Sequence, residues 1–183
     1  MIEGPDIFFD ADTLITFLSV NQESLLFQLL GKRVCISNQV YNELNCDNLS
    51  SAVIEKLIKS KKIRKVSLES EEETDLYYKM RYGPKGTKRL GDGETTCLIL
   101  AKTRLGHLAS SNYADISFYV EEFGLENYSA ARLLALCQED NLLTQDECRV
   151  TWRDFMARGR KMPFENYDQY YIKEFIPQFR NKE

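Results

Sequence analysis

The stretch Ile7-Phe8-Phe9-Asp10-Ala11-Asp12-Thr13-Leu14-Ile15 sets the architecture. Three contiguous apolar residues read as a short buried strand, Asp10 stands at its end, and from Asp12 to Leu30 apolar residues recur at helical spacing (Leu14, Phe17, Leu18, then Leu25, Leu26, Leu29, Leu30). Strand, acid, helices is the order. Gly31 stops the second helix, Val34-Cys35-Ile36 makes another short strand, and Ser37 or Asn38 caps a helix through Val40, Tyr41, Glu43 and Leu44. A second acid thus lies on a helix just past a strand.

The same alternation continues along the chain. Ala52 to Ser60 is helical in pattern, and Ile63 to Leu68 alternates as a half-exposed strand does. The acidic block Glu69 to Asp75 opens a helix near Leu76-Tyr77-Tyr78, because negative charge suits a helix N-terminus. Arg81 to Arg89, with two glycines and a proline, reads as a basic loop. Gly91-Asp92-Gly93-Glu94 leads into a helix from Thr95 to Arg104, and Gly106 precedes a strand from His107 to Ser110. Ser111-Asn112 is a cap signal for a helix from Ile116 to Phe123, closed by Gly124, and further helices run from Ala130 to Glu139 and from Gln145 to Ala157. Strands alternating with helices predict an α/β fold, three layers deep, with a central, mainly parallel sheet.

The chain has 183 residues, 43% hydrophobic and 28% charged, enough for one sizeable core. Residues 1–160 are expected to form it, with 161–183 an aromatic-rich C-terminal extension. Net charge is −4, so nucleic acid or an anionic membrane finds no global attraction, only local basic patches. No apolar run approaches the roughly 20 residues of a membrane span, and no basic region precedes the first apolar run as in a signal peptide. The expectation is a cytoplasmic protein. Five cysteines without a CxxC pair argue for reduced, mostly buried thiols, and a single histidine excludes sites built from imidazole. Any metal must be held by oxygen, which favours Mg²⁺ or Mn²⁺.

In open α/β sheets, ligands bind beyond the carboxyl ends of the strands, where the strand order reverses. Asp10, Glu43, Glu94, Asn112 and Asp115 all lie near such positions. Carboxylates gathered in one cleft repel one another unless a divalent cation neutralises them. Asp12 and Asp92, each just ahead of an apolar helix, read as N-caps, and His107, at the start of its strand, reads as a turn residue. Of the two basic groups, Lys56 to Lys65 reads as solvated surface, whereas Lys85, Lys88 and Arg89 precede Glu94 closely enough to meet phosphates.

In that order the segments resemble the PIN-domain ribonucleases: the Ile7 to Ile15 opening, the second acidic segment with Val40-Tyr41-Asn42-Glu43-Leu44, and Leu90-Gly91-Asp92-Gly93-Glu94, similar to the Gly-x-Gly-Glu helix start of the VapC-type toxins of toxin–antitoxin pairs. Leu108 to Asn112 occupies the place of the last acidic segment. The resemblance implies Asp10, Glu43 and Glu94 as metal-binding catalytic acids for Mg²⁺ or Mn²⁺. At the fourth acid this chain departs from the family: Asn112 stands where an Asp is usual, and Asp115, three residues on, could supply the charge. What the resemblance implies is an endoribonuclease whose one or two metals orient a water for in-line attack on RNA, leaving 5′-phosphate and 3′-hydroxyl ends, and which a small cognate antitoxin silences. A homodimer is left open. Two rival readings stand beside it: a PIN fold that binds RNA or protein without cutting, and a phosphatase of the DxDxT type, with Asp10 as nucleophile and Asp12 as acid/base.

Overall fold

The computed structural model describes residues 4–45, 48–82 and 90–180. Strand β1 (Ile7–Phe9) is followed by α1 (Ala11–Leu18) and α2 (Glu23–Leu30), then β2 (Val34–Ser37), α3 (Asn38–Asn45), α4 (Asn48–Lys59) and β3 (Arg64–Val66). After α5 (Glu71–Tyr82) and α6 (Asp92–Thr103) come β4 (His107–Ala109), α7 (Tyr113–Phe123), α8 (Ala130–Glu139) and α9 (Gln145–Ala157). The strands form one four-stranded sheet in the order β3-β2-β1-β4, and every pairing is parallel. Helices flank it. Ile7, Phe8 and Phe9 are all fully buried, because a parallel strand with both faces covered has no polar side to alternate with. The edge strand β3 is shorter than the Ile63 to Leu68 stretch expected for it and does not alternate: Arg64 and Lys65 are both exposed and Val66 is partly buried.

The order β3-β2-β1-β4 places the reversal between β1 and β4. From β1 the chain steps outward to β2 and β3, then returns across the sheet to lay β4 on the other side of β1. The main-chain N–H of Asp10 donates to the Ala109 carbonyl at 2.9 Å, so the two strands leave the sheet together. A further parallel bridge joins Leu108 to Asn127 beyond β4. There the Asn127 side chain accepts from the Ser110 N–H and donates to the Ser110 carbonyl, both at 3.0 Å, imitating a strand neighbour and fixing the turn after β4. Nothing in the sequence pattern announced that bridge.

Local chemistry departs from expectation at several helix starts. Ser37, not Asn38, caps α3, its hydroxyl accepting from the Val40 N–H at 3.1 Å. Asp12 lies inside the first turn of α1, and the cap position is Asp10, whose side chain makes no capping bond. Asp92 is likewise the first residue of α6, after Gly91. Both aspartates therefore stand where they favour the helix dipole without capping it. Arg81 belongs to α5 rather than to a loop, and α4 begins four residues earlier than its apolar spacing suggested. Gly124 adopts φ 63°, the left-handed conformation that closes α7. Lys85, Lys88 and Arg89 lie outside the described residues.

Past Ala157 the chain folds back as α10 (Tyr167–Tyr170), a wider helical turn over Tyr171–Phe175, and α11 (Ile176–Arg180). Tyr167, Tyr170 and Phe175 are buried in the core, with Tyr170 stacked on Trp152 of α9 at 5.4 Å between ring centroids. Cys35, Cys97, Cys137 and Cys148 are buried free thiols, and Cys46 lies outside the described residues. Among the described residues no helix is long and apolar enough to cross a membrane.

Candidate active site

Three elements deliver carboxylates to the carboxyl end of the sheet. Asp10 leaves β1 and is 5% exposed. Its Oδ2 accepts from the Ser110 hydroxyl at 3.2 Å, a bond made possible because Ser110 ends β4 directly beside it. Burial pushes the Asp10 carboxyl up to about 7, and the charges of Glu94 and Asp12 push the same way, against the weaker pull of the Ala11 N–H and the Ser110 hydroxyl.

Glu43 arrives from α3 and reaches the start of α6, where its Oε1 accepts from the Gly93 N–H at 3.0 Å. A Cβ on residue 93 would lie 2.7 Å from Glu43 Oε2 and 2.8 Å from Oε1, so any side chain there would push the carboxylate out of this seat. This gives the middle glycine of Gly91-Asp92-Gly93-Glu94 a physical reason. Burial raises the Glu43 carboxyl; the Gly93 N–H opposes it, while Asp92, Glu94 and Asp12 add to the rise.

Glu94 turns back over its own helix start, Oε2 accepting from the Gly91 N–H at 3.0 Å. Its other oxygen accepts from Asn112 Nδ2 at 2.9 Å, and the same amide nitrogen donates to Asp115 Oδ2 at 2.6 Å. The Asn112 amide thus bridges two carboxylates with its two N–H bonds. Beneath the site lies the buried Cys97, whose Sγ donates to the Phe9 carbonyl at 3.3 Å. Its thiol is raised well above the usual range, first by burial and then by the charges of Asp10, Glu43 and Glu94 together. The charges of all three acids are therefore felt at one point of the fold.

Asp10, Glu43, Glu94, Asn112 and Asp115 are thus brought to one end of the sheet. As the side chains lie, no three His, Cys, Asp or Glu residues among those described stand close enough together to hold one ion. Their partners occupy them: Glu43 and Glu94 accept from N–H groups at the α6 start, and Glu94 and Asp115 both accept from the Asn112 amide. The donor set is nonetheless all oxygen, rich in carboxylate and strained by mutual repulsion, which fits a hard divalent cation rather than zinc. His107 sits at the opposite end of β4, its ring 5.6 Å from that of Tyr128.

Sequence reading passed over several supports. Ser110 holds Asp10, Thr13 bonds Ser111 at 3.0 Å, and Ser111 accepts from the Ala130 N–H at 3.0 Å, tying α1 and α8 to the segment after β4. The only signal for them was the run Ser110-Ser111 at a strand end.

A family model described as PIN domain matches residues 6–159, a span that takes in every acid of the cleft and stops before the aromatic extension. No curated protein matches the chain. PIN domains are generally nucleases and typically use divalent metal ions. The match removes the ground for a DxDxT-type phosphatase, and here Asp12 is a first-turn residue of α1 facing Arg160. Because the match runs over most of the chain and the parallel sheet puts its reversal where the acids gather, this chain belongs to the PIN domain family.

Proposed function

We propose that the protein is a Mg²⁺- or Mn²⁺-dependent endoribonuclease of the VapC type, the toxin of a toxin–antitoxin pair acting in the cytoplasm. The observation that supports this most is Asp10: a buried acid at the sheet reversal, pushed up to about 7 by its own burial and by Glu94. Such a group is unfavourable for stability and suited to chemistry. Asp10, Glu43 and Glu94, with Asn112 or Asp115, would hold the cation. When bound, it supplies polarisation of the phosphate and activation of a water for in-line attack. Ser110 orients Asp10, Gly93 positions Glu43, and Lys85, Lys88 and Arg89 meet the RNA backbone. A small cognate antitoxin is the expected protein partner. Residues 161–183 are proposed as an appendage to the catalytic unit of residues 1–160.

The test is cleavage of RNA with Mg²⁺ or Mn²⁺, with and without chelator, and mapping of the product ends. Metal-dependent products with 5′-phosphate and 3′-hydroxyl ends are expected. A second reading, a PIN fold that binds RNA without cutting it, is favoured by one observation, the neutral Asn112 between Glu94 and Asp115. Fluorescent RNA that shifts with added protein but stays whole at every metal concentration would decide for that reading.

A further inference from the structure

Two arginines from different elements pair with aspartates that lie two residues from acids of the cleft. Arg160 follows α9, which packs against α1 through the Phe17–Phe155 ring contact at 5.2 Å, and its Nη1 stands 3.9 Å from Asp12 Oδ1. Arg81 comes from α5, its Nε 2.8 Å from Asp92 Oδ1, one residue from the glycine on which Glu43 rests. Asp12 and Asp92 are both near enough to bear on Glu43, and Asp12 also bears on Asp10. Each guanidinium is therefore held beside the cleft by an aspartate next to the acids named above.

The two arginines are held there to different degrees. Arg160 Nε is buried and makes no hydrogen bond, which sets it apart because most buried donors find an acceptor, whereas Arg81 Nε, though not aligned for a hydrogen bond, is ion-paired with Asp92. The Arg160 contact is longer than a hydrogen bond, and its partner Asp12 has a side chain 71% exposed, so the pair contributes little to stability. Arg81 donates to the Leu90 carbonyl, and it shares Asp92 Oδ1 with the Tyr77 hydroxyl at 3.0 Å. A guanidinium carries five donors in a planar fork, and that fork matches the oxygens of a phosphate. A cleft of carboxylates repels a polyanion unless cations at its edge receive the flanking charge.

We infer that Arg81 and Arg160 form a clamp that grips the RNA phosphates on either side of the one lying over Asp10, Glu43 and Glu94. This rests on the nuclease reading. Asp12 and Asp92 hold the two forks in place and give them up to phosphate.

The experiment uses the full chain with a fluorescein-labelled single-stranded RNA. Binding is followed by anisotropy in an Asp10→Asn background with Mg²⁺, and kcat and KM for cleavage are measured with Asp10 intact. Arg81→Met and Arg160→Met should each weaken binding about tenfold and lower the salt slope by about 0.7 for each phosphate no longer neutralised. KM should rise more than kcat falls. Arg→Lys, which keeps the charge without the fork, should restore the salt slope and only part of the affinity, and Asp12→Asn, which frees Arg160, should tighten binding. If a methionine variant melts early, the lysine variant is compared with wild type in the same way. RNA that is cut and bound by wild type and by both arginine variants with the same affinity and slope overturns the clamp alone. Wild-type protein that neither cuts nor binds RNA overturns the clamp and the nuclease reading together.

Discussion

Two carboxylates in this molecule are almost equally hidden from water, Asp10 at 5% exposure and Glu73 at 3%, and their surroundings treat them in opposite ways. Glu73, in the first turn of α5, accepts from Arg104 Nε at 2.9 Å and Nη2 at 3.3 Å, from the Thr103 hydroxyl at 3.1 Å, and from the N–H groups of Glu69 at 2.6 Å and Ser70 at 3.2 Å. Burial alone would push it up, but these donors outweigh burial and hold it at about 2. Among the described residues Asp10 has one side-chain donor, Ser110, and two acidic neighbours, and it is pushed up to about 7. The Glu73 cluster ties the start of α5 to the end of α6, a role the fold can satisfy completely. The Asp10 cluster is left electrostatically incomplete, which a fold tolerates where a ligand completes it.

The sharpest way to break this contrast is to neutralise each acid. Asp10→Asn should abolish RNA cleavage, and Glu94→Gln should do the same, while both proteins remain folded by circular dichroism. Cleavage at the wild-type rate by both variants would remove these residues from the site. Glu73→Gln should do the reverse. It leaves Arg104 half-buried without its charge partner and should cost about 3–5 kcal/mol in urea unfolding, with cleavage per folded molecule unchanged.

The two acids also predict opposite responses to pH, measured on protein kept in chelator. Asp10 has a folded pKa of about 7, above its ordinary 3.8, so the folded state holds the proton more tightly. Its favourable contribution is complete below about pH 4 and is lost as pH rises through 7, on the order of 2–4 kcal/mol in all. Asp10→Asn should remove that loss, so its melting temperature should exceed wild type by more at pH 8 than at pH 4. Glu73 has a folded pKa of about 2, below its ordinary 4.5, so its contribution is present above 4.5 and is lost as pH falls through 2. Acid unfolding of Glu73→Gln should accordingly be shallower. Parallel pH profiles for the two variants would show that burial alone governs both acids.

A smaller effect is expected from Lys85, Lys88 and Arg89. Reversing their charge together should weaken RNA binding uniformly across sequences and flatten its salt dependence, as happens wherever phosphates are no longer neutralised. An unchanged salt slope would return the segment to ordinary surface.

How much of this was legible in the sequence follows from how local each signal is. Strand β1 and Asp10 could be read because three contiguous apolar residues followed by an acid is a local pattern, and the glycines around Glu94 announced a helix start. Glu43 could be placed near a strand end, but its seat on the Gly93 N–H joins residues 50 positions apart, and no periodicity encodes that. Asn127 completing the sheet edge and Arg160 reaching Asp12 are long-range in the same sense. Asp12 and Asp92 were misread as caps because an acid before an apolar helix has the same local pattern whether it stands at the cap or in the first turn. Glu73 reads in the sequence as one of an acidic block that opens a helix, and only the arrival of Arg104 from the end of α6 distinguishes it.

Asn112 offers the finest comparison, within the cleft itself. Its amide joins Glu94 and Asp115 by donating to both, at 2.9 and 2.6 Å. Asn112→Asp replaces that donor with a third negative charge, so in chelator the variant should melt lower than wild type, by the loss of two charge-assisted hydrogen bonds and added repulsion, about 1–3 kcal/mol. With Mg²⁺ or Mn²⁺ the order should invert, because the added carboxylate offers a charged oxygen where the amide offers a neutral one. Asp115→Asn should weaken metal binding, since it removes one of the charges the amide holds in place. Thermal melts in chelator and with metal check the first two expectations, and calorimetric titration of wild type, Asn112→Asp and Asp115→Asn with Mn²⁺ checks the third. Equal affinities would mean that the segment after β4 shapes the cleft through hydrogen bonds alone, and the reading of a PIN fold that binds RNA without cutting it would then gain ground.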